Sequence, residues 1–290
     1  FAPIFITGLP RVGSTLVYQA IVRRFATSFF CNAAAATPHS PATVTWMVSR
    51  ALTITPPDRY TSHYGQTSGW NGPSQGREIW CRWFSPDQSY VDAGACPRSA
   101  LGEIRGTVSR IEHCFQAPFV NKSQAHAVRI LPLFEAFPRA VFVRVRRSDL
   151  DVAESVLLGR REYLEDERTW FSSRPSNYDA LRRLDPVDQI VGQIRGLEAD
   201  MSRDLSLVGQ DRVIDIEYEA FCHAPRETLD HLAKRYSQIT GQGLRVGGDV
   251  PQQFAQATRR KVAPSESALV RRRLDDHPSC LLYTSDAADD

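Results

Sequence analysis

The feature that most limits the folds open to this chain is a short apolar run, Pro3-Ile4-Phe5-Ile6, that feeds into Gly8-Leu9-Pro10-Arg11-Val12-Gly13-Ser14-Thr15 and then into an apolar-periodic stretch. It reads as strand, glycine loop and helix N-terminus. Backbone N–H groups at such a turn and in the first helical turn point at an anion, and glycine lets the main chain approach it closely. The loop is not the G-x-x-x-x-G-K-[ST] cradle of nucleoside triphosphatases, because Ser14 follows Gly13 where a lysine belongs. The cation sits earlier, at Arg11. A P-loop kinase of small metabolites would also need that lysine and acidic groups for Mg²⁺, whereas the strand Ala140 to Arg147 supplies arginines.

Further along, strands and helices alternate. The periodicities predict strands at 3–8, 27–31, 118–122, 140–147 and 212–218, and helices at 14–25, 41–53, 126–136, 149–162, 186–207 and 225–240. Short apolar or β-branched strands of this kind belong to a parallel sheet covered by helices on both faces, which is the α/β class. Ligands bind such sheets beyond the carboxyl ends of the strands, where the 8–15 loop, Lys122 and Arg147 all fall. Residues 55–116 interrupt the alternation with Pro56-Pro57, Gly72-Pro73 and the tryptophans at 70, 80 and 83. This loop-rich aromatic insertion is expected to form an acceptor pocket, since rings give contact area at low entropic cost. Packing of Trp80, Trp83 and Phe84 against a peripheral helix is the competing expectation.

Composition excludes more than it identifies. With 290 residues, 42% apolar, the chain can bury one sizeable core, and a single domain over 1–278 is expected. A balance of 35 basic against 33 acidic residues, net +2, argues against nucleic acid as a partner, which would require many phosphate neutralisations. The six cysteines form no C-x-x-C pair and no zinc spacing, so a reducing, cytoplasmic setting is the simpler expectation, without metal. No run of 18 apolar residues spans a membrane. Phe1 stands hard against the first strand without a methionine, as expected if an upstream signal or anchor has been lost, so the absence of a signal carries no information. Residues 279–290 break from the preceding pattern, resemble translated adapter read-through, and are expected to be a non-native tail.

Four segments, in order, carry a resemblance. Pro10-Arg11-Val12-Gly13-Ser14-Thr15-Leu16 resembles the P-[KR]-S-G-[TS]-T-[WL] loop of sulfotransferases that use 3′-phosphoadenosine 5′-phosphosulfate (PAPS). Arg147 and Ser155 reproduce the Arg-to-Ser spacing of that family's 3′-phosphate site. Lys122-Ser123-Gln124-Ala125-His126 resembles the K-[TS]-P-x-H segment of its bacterial and carbohydrate-type members, and Tyr218-Glu219 with Ala224-Pro225 resembles their Y-E-x-[LF]-x-x-x-P turn. The resemblance implies a three-layer α/β/α fold with a central parallel sheet, like that of the P-loop nucleoside triphosphate hydrolases. It also implies sulfuryl transfer from PAPS to a hydroxyl of a small molecule, sugar or lipid, leaving 3′,5′-adenosine bisphosphate.

Sulfuryl transfer builds negative charge on the bridging oxygen, which cations must meet; Arg11 and Lys122 are the candidates. Pro10, Arg11, Val12, Gly13, Ser14 and Thr15 would hold the 5′-phosphate, and Arg147 with Ser155 the 3′-phosphate. Arg259-Arg260-Lys261 resembles the family's late basic loop over that phosphate. His126 is the candidate base, because imidazole titrates near working pH, with Glu78 and His63 in reserve. The departures are Val12 for the usual loop serine, Ser123 and Gln124 for Thr and Pro, and Gln75 where an acid is expected in a G-P-x-E segment. They leave open a non-catalytic nucleotide-binding relative as a further alternative.

Overall fold

The computed structural model describes residues 1–51, 60, 67–255 and 262–276. Four strands, β1 (Ile4–Gly8), β2 (Val120–Lys122), β3 (Val141–Arg146) and β4 (Val213–Glu217), form one sheet in the order β2-β1-β3-β4. Every pairing is parallel, with Ile4 opposite both Val120 and Val141, and Val143 opposite Ile214. β1 is buried along its whole length. A parallel sheet demands this, because its crossover helices cover both faces.

The first helices are α1 (Ser14–Arg24), α2 (Asn32–Ala36), α3 (Pro41–Ala51), α4 (Arg77–Trp80) and α5 (Arg98–Phe115). A 3₁₀ turn at Gln124–Val128 leads into α6 (Ile130–Ala136), followed by α7 (Asp149–Tyr163), α8 (Tyr178–Leu181) and α9 (Pro186–Val208). Then come α10 (Tyr218–His223), α11 (Pro225–Thr240) and α12 (Pro264–Asp276). Local chemistry starts and stops these elements. Ser148 caps α7, its hydroxyl accepting from the Asp151 amide, and Asp149 and Asp151 sit in the positive first turn. Proline opens both α9 and α11, where a missing N–H costs nothing.

Three expectations need correction. No strand forms at 27–31: Ser28 makes a single parallel bridge to Phe119 beside β2 before the chain turns into α2. The helix expected over 126–136 is broken at Arg129, with φ −145°. A helix running through would have placed Pro132 in its interior, and the break moves that proline into the first turn of α6, where its ring is tolerated. The 55–116 insertion also contains the 18-residue helix α5, which buries Leu101, Ile104, Val108 and Ile111. Trp80 is a core residue, its ring edge-on to Phe5, Phe30 and His126.

Candidate functional site

All four strands contribute at their carboxyl ends. β1 runs into Leu9–Gly13, β2 ends on Lys122, Arg147 directly follows β3, and Tyr218 directly follows β4. The sheet order places the two ends of the site on either side of β1, the position where open α/β sheets bind ligands.

The loop is shaped by Arg11 at φ +66° and by Gly13, the N-cap of α1, at φ +91°. Both lie in the left-handed region that L-residues with a Cβ disfavour. At Gly13 there is a second constraint: a Cβ would come within 2.2 Å of the Tyr218 ring. The same ring lies under the Arg147 guanidinium, 4.7 Å from its centroid. Tyr218 therefore spaces the loop from the β3 arginine. Val12 packs inward and is buried, whereas Arg11, Gly13 and Thr15 are partly accessible.

The side chain of Arg147 is 7% exposed. Glu219 and Asp151 pair with it at 3.4 and 3.8 Å from Nε, but neither is hydrogen-bonded to that nitrogen, and Nε and Nη1 are buried without a hydrogen-bond partner. Ser155, buried on α7, accepts a hydrogen bond of 3.1 Å from Arg11 Nε. Thus the loop cation and the serine expected at opposite ends of a nucleotide meet directly. Lys122 is 2% exposed, and its Nζ donates to Gln75 Oε1 at 3.1 Å. Burial, with Arg11 adding repulsion, pushes the Lys122 ammonium down to about 7.

His126 lies in the 3₁₀ turn and is 0% exposed. Its Nδ1 accepts from Arg129 Nε at 3.2 Å, so the ring proton belongs on Nε2, which donates to Asn121 Oδ1 at 2.8 Å. Asn121 Oδ1 also accepts from Trp80 Nε1, and its amide nitrogen donates to the Ser74 carbonyl. Both imidazole nitrogens are committed. Burial, then Arg129 and Lys122, hold the imidazole well below the ordinary histidine range. His126 is not among the residues that line the cleft beside Arg11.

Next to Arg11 opens a cleft of about 920 Å³. Its lining includes Gln75, Glu78, Trp80 and Arg129, together with Tyr163 at the end of α7 and Leu164, Trp170 and Phe171 from the segment after it. Glu78 is the one carboxylate among its described lining residues. Among the described residues, no cluster of three His, Cys, Asp or Glu side chains is placed to hold a metal ion, and no helix is long and apolar enough to cross a membrane. His63, Arg259, Arg260 and Lys261 lie outside the described residues.

The sequence pattern of the Sulfotransferase family matches residues 3–236. This chain belongs to the sulfotransferase family. Its fold resembles that of sulfotransferase STF9 from Mycobacterium avium, with a TM-score of 0.52 at 16% identity, covering 95% of this chain and 68% of that one. Sulfotransferase STF1 from Mycobacterium tuberculosis H37Rv gives a TM-score of 0.52 at 12% identity, covering 95% and 77%. No match emerges among curated proteins. As a sulfotransferase the chain has a P-loop-like α/β frame for sulfuryl transfer, with Arg11, Gly13, Lys122, Arg147 and Tyr218 gathered at the strand ends. Asn121, Arg129 and the lining residues Tyr163, Leu164, Trp170 and Phe171 were not anticipated from sequence. Only Arg129, an arginine amid apolar residues three after His126, left a visible sign there.

Proposed function

We propose that this sulfotransferase uses PAPS as donor and sulfates a hydroxyl of a small molecule bound in the cleft beside Arg11. The observation that carries this reading is Arg147. Its charge is balanced by Glu219 and Asp151, but two of its buried nitrogens make no hydrogen bond, which is costly in a finished fold and suits a site built to receive a phosphate. Its perch on Tyr218, the ring that also abuts Gly13, sets that phosphate at one end of a nucleotide whose other phosphate meets the loop.

When bound, PAPS supplies the sulfuryl group together with a bisphosphate leaving group. The amides of Gly13, Ser14 and Thr15, at the positive end of α1, bind the 5′-phosphate, with the Ser14 and Thr15 hydroxyls beside them. Arg147 and Ser155 bind the 3′-phosphate. Arg11, now bonded to Ser155, has the length and position to meet either the nucleotide or the group in transit. Lys122 stabilises charge at the bridging oxygen, a task that preorganised cations perform well in a dry site. Glu78 takes the acceptor proton. His126 is a positioning residue that holds Asn121, Trp80 and Arg129 in place.

Calorimetry tests the donor reading. The protein is expected to bind 3′,5′-adenosine bisphosphate about tenfold or more tightly than 5′-AMP. Arg147→Ala should weaken the bisphosphate by about 1.5–3 kcal/mol, as for a charge-assisted hydrogen bond, and leave 5′-AMP nearly unchanged. Equal affinities for the two nucleotides in the wild type would refute it.

A further inference from the structure

One buried cation takes no part in that scheme. Arg129 lies between the 3₁₀ turn and α6, is 4% exposed, and lines the cleft. Its Nε is held by His126, and its Cζ is 4.8 Å from the Trp80 ring centre and 4.9 Å from that of Phe84. Its Nη2 is buried without a hydrogen-bond partner, and no carboxylate among the described residues pairs with it. Two ring faces offset part of the lost hydration, but they accept no hydrogen bond from the in-plane N–H groups. A cation desolvated this far without a counter-ion is expensive for the fold. Burial pushes the Arg129 guanidinium down to about 9, in keeping with a charge that still lacks its partner.

We propose that Arg129 is an anion-binding residue of the cleft, and that the acceptor therefore carries a carboxylate on an aromatic or apolar body. The inference rests on reading the cleft as the acceptor site. The carboxylate meets the free end of the guanidinium, whose planar fork matches its two oxygens. The body lies against Leu164, Trp170 and Phe171, which line the same cleft. His126 fixes the third nitrogen of the guanidinium, so the fork is oriented before any ligand arrives. The other cations at the cleft have partners of their own: Arg11 is bonded to Ser155, Arg77 to the Pro86 carbonyl and Lys122 to Gln75.

The test uses a matched pair, 2-naphthoate and 2-naphthylmethanol, titrated calorimetrically into protein presaturated with 3′,5′-adenosine bisphosphate. The wild type is expected to bind naphthoate about tenfold or more tightly than the alcohol. The gap should close in Arg129→Gln and survive in part in Arg129→Lys, with bisphosphate affinity unchanged in both. Equal affinities in the wild type, no measurable naphthoate binding, or a gap that persists in Arg129→Gln would overturn the proposal. The wild-type comparison decides even if the glutamine variant does not fold. Failure of the preceding bisphosphate titration would instead refute the donor reading, so the two failures are distinguishable.

Discussion

Binding of 3′,5′-adenosine bisphosphate at pH 7.5 is expected to draw protons from the buffer, and Lys122 is expected to take them. With Lys122 held at about 7 by burial and by Arg11, roughly a quarter of the free protein carries the ammonium form at that pH. A nucleotide phosphate beside Nζ favours the charged form and moves the group back toward its ordinary 10.5. Net uptake is then roughly 0.7 proton per site, growing between pH 6 and 8 as the free protein loses its own proton. Titrations in HEPES and in Tris, whose ionisation enthalpies differ, give this number from the difference in observed heat. Lys122→Met should abolish it. No uptake in the wild type, or equal uptake in the variant, would refute the assignment.

The same burial has a signature in the ligand-free protein. The folded-state value lies below the unfolded one, so between about 7 and 10.5 the unfolded chain binds the extra proton and stability from this group rises with pH. Below about 7 the charge is present in both states and its desolvation is fully felt. The gap corresponds to at most about 5 kcal/mol. Lys122→Met, similar in length and uncharged, should therefore melt several degrees higher than the wild type at pH 6.5 while losing sulfuryl transfer. A variant that melts lower would mean that the Gln75 hydrogen bond outweighs the burial cost.

Three other outcomes are expected. Glu78→Gln should lower kcat by about 10² to 10⁴, whereas His126→Ala should lower Tm and leave kcat within about tenfold of wild type; a kcat loss in His126→Ala as large as that in Glu78→Gln would restore the imidazole as base. Gly13→Ala should abolish bisphosphate binding in calorimetry, because its Cβ meets Tyr218 at 2.2 Å and its φ of +91° is strained for alanine; binding within threefold of wild type would place the nucleotide elsewhere. Transfer should continue in EDTA, with Arg11 and Lys122 meeting the leaving charge, and a strict Mg²⁺ requirement in a turnover assay would favour a kinase-like site.

What could be read from the sequence was what depends on neighbours along the chain. The strand, loop and helix from Ile4 to Arg24 are one local unit, and Lys122 and Arg147 announce themselves as basic residues at the ends of apolar strands. Helix α5 was legible too, in Leu101, Ile104, Val108 and Ile111, but the glycines and prolines before it drew the whole insertion into a loop. His126 shows what sequence does not carry. Its character depends on Trp80, from the distant helix α4, sharing the Asn121 oxygen with it, and on Arg129 occupying its other nitrogen. An exposed imidazole near its ordinary range is a base; the same ring between an amide and a guanidinium is a strut. The consequence reaches the chemistry. Asn121 precedes Lys122 on β2 and Arg129 lines the cleft, so under the proposed scheme His126 would fix the spacing between the cation proposed for the leaving group and the one proposed for the acceptor. A His126 variant that still binds bisphosphate but no longer distinguishes naphthoate from the alcohol would show that spacing to be its function.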